Sequence, residues 1–188
     1  SSYIRIWKKI GKIGKNILFP LCNGDIFIVL NCKEHMDYEV IKSIERICFN
    51  QNLEIPRNEL HSELLNKISI FLKNKNYLVV PEYSLQYETI ERKTKTGKIK
   101  NGKIDVLAIN LPQIIAIEFD SGLNLKYKSI EKLIQSEANI LIGIVKGDKE
   151  CGSFSNLDRL ASTLGNEKID KKFHLIMLAA KKTFKILP

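Results

Sequence analysis

The stretch Gly102-Lys103-Ile104-Asp105-Val106-Leu107-Ala108-Ile109-Asn110-Leu111-Pro112-Gln113-Ile114-Ile115-Ala116-Ile117-Glu118-Phe119-Asp120 decides the fold. Two runs rich in Ile, Leu, Val and Ala flank Leu111-Pro112, which reads as a tight turn. Strands are therefore expected at 103–110 and 113–120. Asp105, Glu118 and Asp120 interrupt these runs. Acidic residues are poor strand formers and poor core residues, so carboxylates kept in such places point to a function for them.

Side chains alternate faces along a strand. Asp105 is expected to share a face with Lys103 and Leu107, and Glu118 with Asp120, opposite Ile117 and Phe119. Antiparallel pairing through the Leu111-Pro112 turn then brings Asp105 near Glu118. Converging carboxylates repel and raise a pKa. A hard divalent cation with oxygen ligands relieves that repulsion.

Working upstream, a helix is expected over 58–73, with Leu60, Leu64, Ile68 and Phe71 on its apolar side. A strand follows at 77–88, and Thr96-Gly97 and Asn101-Gly102 both read as hairpin signals. Downstream come a helix over 127–138, a strand at 140–145, a helix over 156–164 and a final strand at 174–180. Three strands with short connections favour antiparallel pairing, and the helical crossover adds a parallel strand. The expected fold class is α/β: a central mixed sheet with helices on both faces, built as helix, three strands, helix, strand.

Residues 1–56 read as a basic N-terminal extension packed on the core: a strand at 25–30, then a helix over 37–49 carrying Val40, Ile41, Ile44, Ile47 and Cys48. Pro56 marks the expected boundary, leaving 57–188 as the core domain.

Two helices bring further polar groups. Glu63 lies beside the stripe of Leu60, Leu64 and Phe71, where it either joins the carboxylates or pairs with Lys67 at i+4. Lys128, Lys132 and Gln135 recur at i, i+4, i+7 on the later helix. One of these lysines, or Lys126 before them, reaches toward the carboxylates, or else the stripe is a solvated face.

Glu63 on a helix, Asp105 after Gly-Lys-Ile, and Glu118 two positions before Asp120 resemble the PD-(D/E)XK, or restriction-endonuclease-like, nuclease superfamily. The resemblance covers roughly residues 58–146 and rests on order, spacing and element type at four positions. It implies a three-layer α/β/α fold and a metal-dependent endonuclease hydrolysing phosphodiester bonds. Asp105 and Glu118 would be ligands of Mg2+ (or Mn2+), and Glu63 would assist. A lysine in this fold helps position or deprotonate the attacking water.

The chain departs from the pattern at that lysine, because Asp120 stands in its slot. Either Asp120 is a further catalytic carboxylate, with the lysine role moved to Lys132, Lys128, Lys126 or Lys103, or the site is weakened and the protein binds nucleic acid without cutting it.

The formal net charge of +9 favours a polyanionic partner. Arg92, Lys93, Lys95, Lys98, Lys100 and Lys103 fall within twelve residues and are the expected nucleic-acid contact, DNA in preference to RNA. No aromatic residue interleaves there, so no stacking platform for single strands is indicated. Lys8, Lys9, Lys12 and Lys15 near Trp7 form a second basic segment. Nucleases that cut both strands often act as symmetric dimers, which makes a homodimer an expectation.

No apolar run approaches the roughly 20 residues of a membrane span. The four cysteines, Cys22, Cys32, Cys48 and Cys151, match no zinc spacing and read as thiols of a reducing, cytoplasmic compartment. His35, His61 and His174 share no ligand spacing, and none is assigned a role.

Overall fold

The computed structural model describes residues 17–20, 26–29, 32–89, 98–147 and 171–186. In chain order they form β1 (Ile17–Pro20), β2 (Ile26–Val29), α1 (Cys32–Phe49), α2 (Arg57–Asn74), β3 (Leu78–Glu88), β4 (Ile99–Asn110), β5 (Gln113–Asp120), α3 (Tyr127–Gln135), β6 (Ile140–Val145), β7 (Lys172–Met177) and β8 (Lys182–Ile186). The chain divides into two compact units, Ser1–Ile44 and Glu45–Pro188. The division falls inside α1, earlier than Pro56.

In the first unit β1 and β2 form an antiparallel pair. Of the expected apolar stripe of α1, Val40, Ile41 and Ile44, which belong to this unit, are buried. Cys48, which belongs to the second unit, is also buried, and burial with the nearby charge of Glu45 pushes its thiol well above the ordinary value.

The second unit is a six-stranded sheet in the order β3-β4-β5-β6-β7-β8. β3, β4 and β5 pair antiparallel, β6 and β7 join parallel, and β8 returns antiparallel. The protein is thus mixed α/β. β5 and β6 are buried along nearly their whole length, as expected of strands covered on both faces.

Helices α2 and α3 cover opposite faces of β5. On one face Ala116 joins Ile130, Leu133 and Ile134 of α3 in the core cluster, together with Leu141, Phe173 and Leu175. On the other face Phe119 stacks against His61 of α2. α2 buries Leu60, Leu64, Ile68 and Leu72, a stripe at every fourth residue. Phe71, expected on that stripe, is only partly buried.

Helix ends follow local chemistry. At the end of α2 the Tyr77 N–H donates to the Leu72 carbonyl and the Asn76 N–H to the Lys73 carbonyl, with Asn76 at φ 63°. This is the six-to-one and five-to-two pairing that closes a helix on a left-handed residue. α3 ends at Gln135, short of the expected 138, because Ser136 is extended. The Lys171 ammonium supplies the missing partners, donating to the carbonyls of Ile134 and Ser136 at 2.8 and 2.5 Å. Burial there lowers its pKa.

Several sequence expectations needed correction. Asn101-Gly102 is not a turn: both residues lie inside β4, opposite Gln86 and Leu85. A Cβ on Gly102 would stand 2.7 Å from the Tyr87 ring and 3.0 Å from the Lys132 side chain, so the glycine admits those two groups. Thr96-Gly97 lies outside the described residues, as does the helix expected at 156–164. The strand expected at 174–180 is shifted to Lys172–Met177, and a short β8 follows a turn at 178–181. Strand β1 lies in the basic extension, ahead of the strand expected at 25–30.

Gly143 of β6 pairs with Glu118 of β5. An added Cβ there would stand 2.6 Å from Leu125 Cδ2 and 3.5 Å from Phe173, both buried. Gly143→Ala is expected to destabilise the protein by about 1–3 kcal/mol, the usual cost of overpacking. In chemical denaturation the double variant with Leu125→Ala should lose less than the sum of the two single variants, because the clash and the cavity offset each other.

Candidate active site

The site forms where β4 and β5 run side by side. Val106 pairs with Ile117, and one step further along both strands stand Asp105 and Glu118. Strict alternation fails at this point of β4. Ile104 and Leu107, three residues apart, belong to the same core cluster, so Asp105 lies at a break in the pleat. The adjacent strand shares the irregularity: Glu82 has φ 48°, between Pro81 opposite Val106 and Tyr83 opposite Ile104.

The break frees Asp105 from a plain in-or-out orientation. Its Oδ2 accepts from the Phe119 backbone N–H at 2.8 Å and lies 3.4 Å from His61 Nε2. The His61 ring is stacked on Phe119, with centroids 5.4 Å apart and planes 13° from parallel. The bond to Asp105 raises the His61 pKa above 6.5 against the opposing effect of burial, and the charges of Asp105, Glu118 and Asp120 add to the rise.

Glu118 is the buried member, 3% exposed. Its Oε1 accepts from Lys132 Nζ at 2.5 Å and more weakly from the Asp105 backbone N–H at 3.3 Å. Lys132, 8% exposed, also donates to the Lys103 carbonyl at 2.5 Å. Burial pushes the Glu118 carboxyl up from 4.5 to about 7, and the charge of Asp105 adds to this. The bonds from Lys132 and Ser129 pull the other way and do not cancel it.

Asp120 is buried and held by Lys126. The Lys126 backbone N–H donates to Oδ2 at 2.8 Å, and Lys126 Nζ lies 2.9 Å from Oδ1. The loop between β5 and α3 thus folds back on its own strand.

The sequence-derived residues are distributed as follows. Asp105, Glu118 and Lys132 come together. Asp120 sits at the end of the same strand with Lys126. Glu63 points elsewhere: it is exposed and pairs with Lys67, the i+4 alternative. α2 turns His61 to Asp105 instead, a residue the sequence reading left without a role. Lys103 offers its carbonyl to Lys132 while its ammonium pairs with exposed Glu82 at 2.8 Å. Lys98 and Lys100 are exposed, and Arg92, Lys93 and Lys95 lie outside the described residues. The stripe Lys128, Lys132, Gln135 is not a plain solvated face. Lys132 is buried, and the Gln135 amide both donates to the Glu88 carbonyl and accepts from the Glu88 N–H, each at 2.6 Å.

Among the described residues, no three of His, Cys, Asp and Glu gather as a metal-holding group, and no helix is long and apolar enough to cross a membrane. Comparison with protein-family models, curated proteins and solved structures finds no match.

Removing one partner of a buried ion pair typically costs about 3–5 kcal/mol, because the other charge is left uncompensated. Glu118 has an escape from that cost, since its folded pKa of about 7 lies above its ordinary 4.5. A carboxyl with a raised pKa is penalised only where it is ionised. The penalty is absent below about pH 4.5 and grows as pH rises toward the folded value. Lys132→Met raises that value further. Its destabilisation is therefore expected to be much larger at pH 8.5 than at pH 5.5, measured by urea unfolding at both pH values. Equal losses at the two pH values would contradict the buried-pair account.

Proposed function

We propose that this chain is a metal-dependent nuclease, hydrolysing phosphodiester bonds in DNA rather than RNA, on a restriction-endonuclease-like three-layer α/β/α core. The observation that carries the reading is the buried Glu118–Lys132 pair held against Asp105 on the neighbouring strand. The order of elements supports it: a helix, three antiparallel strands, a crossover helix and a parallel strand.

The donor chemistry fits Mg2+ or Mn2+ held by Asp105 and Glu118. Two carboxylates lie near enough for the charge of one to raise the pKa of the other, the repulsion a hard cation relieves. A bound divalent ion would lower the pKa of a water and stabilise the leaving oxygen.

The chain's own residues take the remaining tasks. The Lys132 ammonium, fixed between the Glu118 carboxylate and the Lys103 carbonyl, carries the positive charge that the missing lysine of the motif would supply. It offsets the charge that develops on a phosphate in the transition state. His61 holds the Asp105 carboxylate from the helix side and keeps Phe119 covered. Asp120 positions the loop that carries Lys126.

A second reading, a nucleic-acid-binding protein that does not cut, is favoured by one feature. Asp120 occupies the lysine slot and is already satisfied by Lys126.

The test incubates the protein with plasmid DNA, single-stranded DNA and RNA in Mg2+ or Mn2+. Cleavage is expected with wild type and reduced at least about a hundredfold by Asp105→Asn, Glu118→Gln and Lys132→Met. Glu63→Gln should stay within about twofold, since Glu63 is engaged with Lys67 at the surface. Salt-sensitive binding by a wild type that cuts none of the three substrates would select the second reading.

A further inference from the structure

A cleft of about 430 Å³ opens beside the site, lined by Lys100 of β4, Lys126 and Lys128 around the start of α3, and Tyr87, Tyr127 and Glu131. The basic run Arg92–Lys103, which supplies Lys100, has no aromatic residue of its own. The fold brings the two kinds together, because Tyr87 comes from β3 and Tyr127 from the first position of α3. The three lysines are exposed, Tyr127 is partly buried and Tyr87 is buried. Lys100 and Lys128 stand beside Glu131 in this cleft, Lys126 adds an ammonium that also contacts Asp120, and the start of a helix adds favourable potential for an anion.

We propose that this cleft binds one unpaired nucleotide of a single-stranded nucleic acid. The lysines take the backbone phosphate and the Tyr127 ring takes the base. The inference rests on the nucleic-acid reading of the neighbouring carboxylates and narrows it to substrates with an unpaired stretch.

Size supports the assignment. The cleft lies at the lower end of the volumes that enclose small ligands, roughly 300–1,000 Å³, enough for a nucleotide-sized group. A duplex, whose major groove alone is about 12 Å wide, would have to stay outside it. The chemistry also matches what single strands need, a basic track with an aromatic face on which a base stacks. Lys126 connects the cleft to the site, because its Nζ and N–H both hold Asp120. A phosphate drawn to Lys126 is thereby one residue removed from the carboxylate strand.

The test is fluorescence anisotropy in EDTA with a labelled single strand and a labelled blunt-ended duplex without a loop, of equal length, in DNA and RNA forms, at two salt concentrations. The single strand should bind at least about tenfold tighter than the duplex. A preference for one sugar also supports the proposal and names the polymer. Tyr127→Leu should weaken single-strand binding by about fivefold to a hundredfold, while Tyr127→Phe, which keeps the ring, stays within about twofold. Lys100→Ala and Lys128→Ala should each lower the steepness of the salt dependence by about 0.7. Circular dichroism and thermal melting verify that each variant is folded.

Duplex binding equal to or tighter than single-strand binding would overturn the proposal. So would wild-type affinity in Tyr127→Leu. Because EDTA removes cleavage from the measurement, the two readings fail separately. Metal-dependent cutting lost in Asp105→Asn, but without a single-strand preference, sinks the cleft alone. Tyr127-dependent binding by a protein that never cuts sinks the nuclease alone.

Discussion

A carboxylate buried among isoleucines and leucines must either take a proton or find a partner, and the centre of this sheet is arranged around that constraint. Glu118 lies between the buried residues Ile117 and Phe119 on a strand that packs on both faces. Its partner is a lysine from a helix, not another strand residue, so α3 must cross this face of the sheet at a depth that brings Lys132 to the carboxylate. That requirement explains the small residues around it. Gly102 leaves room for the Lys132 stem, and Gly143 on the next strand leaves room for Leu125 under the loop into α3. The ion pair, the two glycines and the helix position form one packing solution, and changing any of them disturbs the others.

The same constraint accounts for the poise of the site. A fully compensated pair would leave Glu118 an ordinary acid. Here burial and Asp105 outweigh Lys132 and Ser129, and the carboxyl ends near neutrality. Asp105 is held in turn by a backbone N–H and by a histidine from the opposite layer. Helices on both faces of β5 therefore converge on two adjacent strand positions, one through His61 and the other through Lys132. Each carboxylate is oriented by groups that packing has already fixed, as a preorganised site requires.

Much of the second unit was legible in the sequence, because its signals were local and strong. Gln113–Asp120 and Ile140–Val145 are mainly apolar runs with clear stops, and both strands begin and end where expected. Helix α2 declares itself through leucines and isoleucines at fourfold spacing. What escaped was set by tertiary partners. Asn101-Gly102 has the composition of a turn, but the glycine serves a close approach by Tyr87 and Lys132 that no local pattern encodes. His61 escaped because the three histidines share no ligand spacing and simple alternation put Asp105 on the same face as Leu107. Only the break between Ile104 and Leu107 lets the carboxylate meet the histidine. A signal was present in Glu63-x-x-x-Lys67, an i+4 pair that already accounted for the glutamate and left His61 as the polar group of that turn still without a role.

The departure at Asp120 reads differently once its surroundings are known. In the lysine slot an aspartate looks like a loss of positive charge beside the carboxylates. The structure restores positive charge twice, through Lys132 on Glu118 and through Lys126 on Asp120. The two lysines differ in burial: Lys132 has a 10% exposed side chain, whereas that of Lys126 is 60% exposed. A buried ammonium in a low-dielectric site acts strongly on its immediate neighbour, and an exposed one reaches solvent and can meet an incoming phosphate. The single lysine of the motif would have to do both. On the proposed nuclease function, the task is split between a buried residue on the helix and an exposed residue at its start. The same loop, from Asp120 to Lys126, ties the carboxylate strand to the basic cleft.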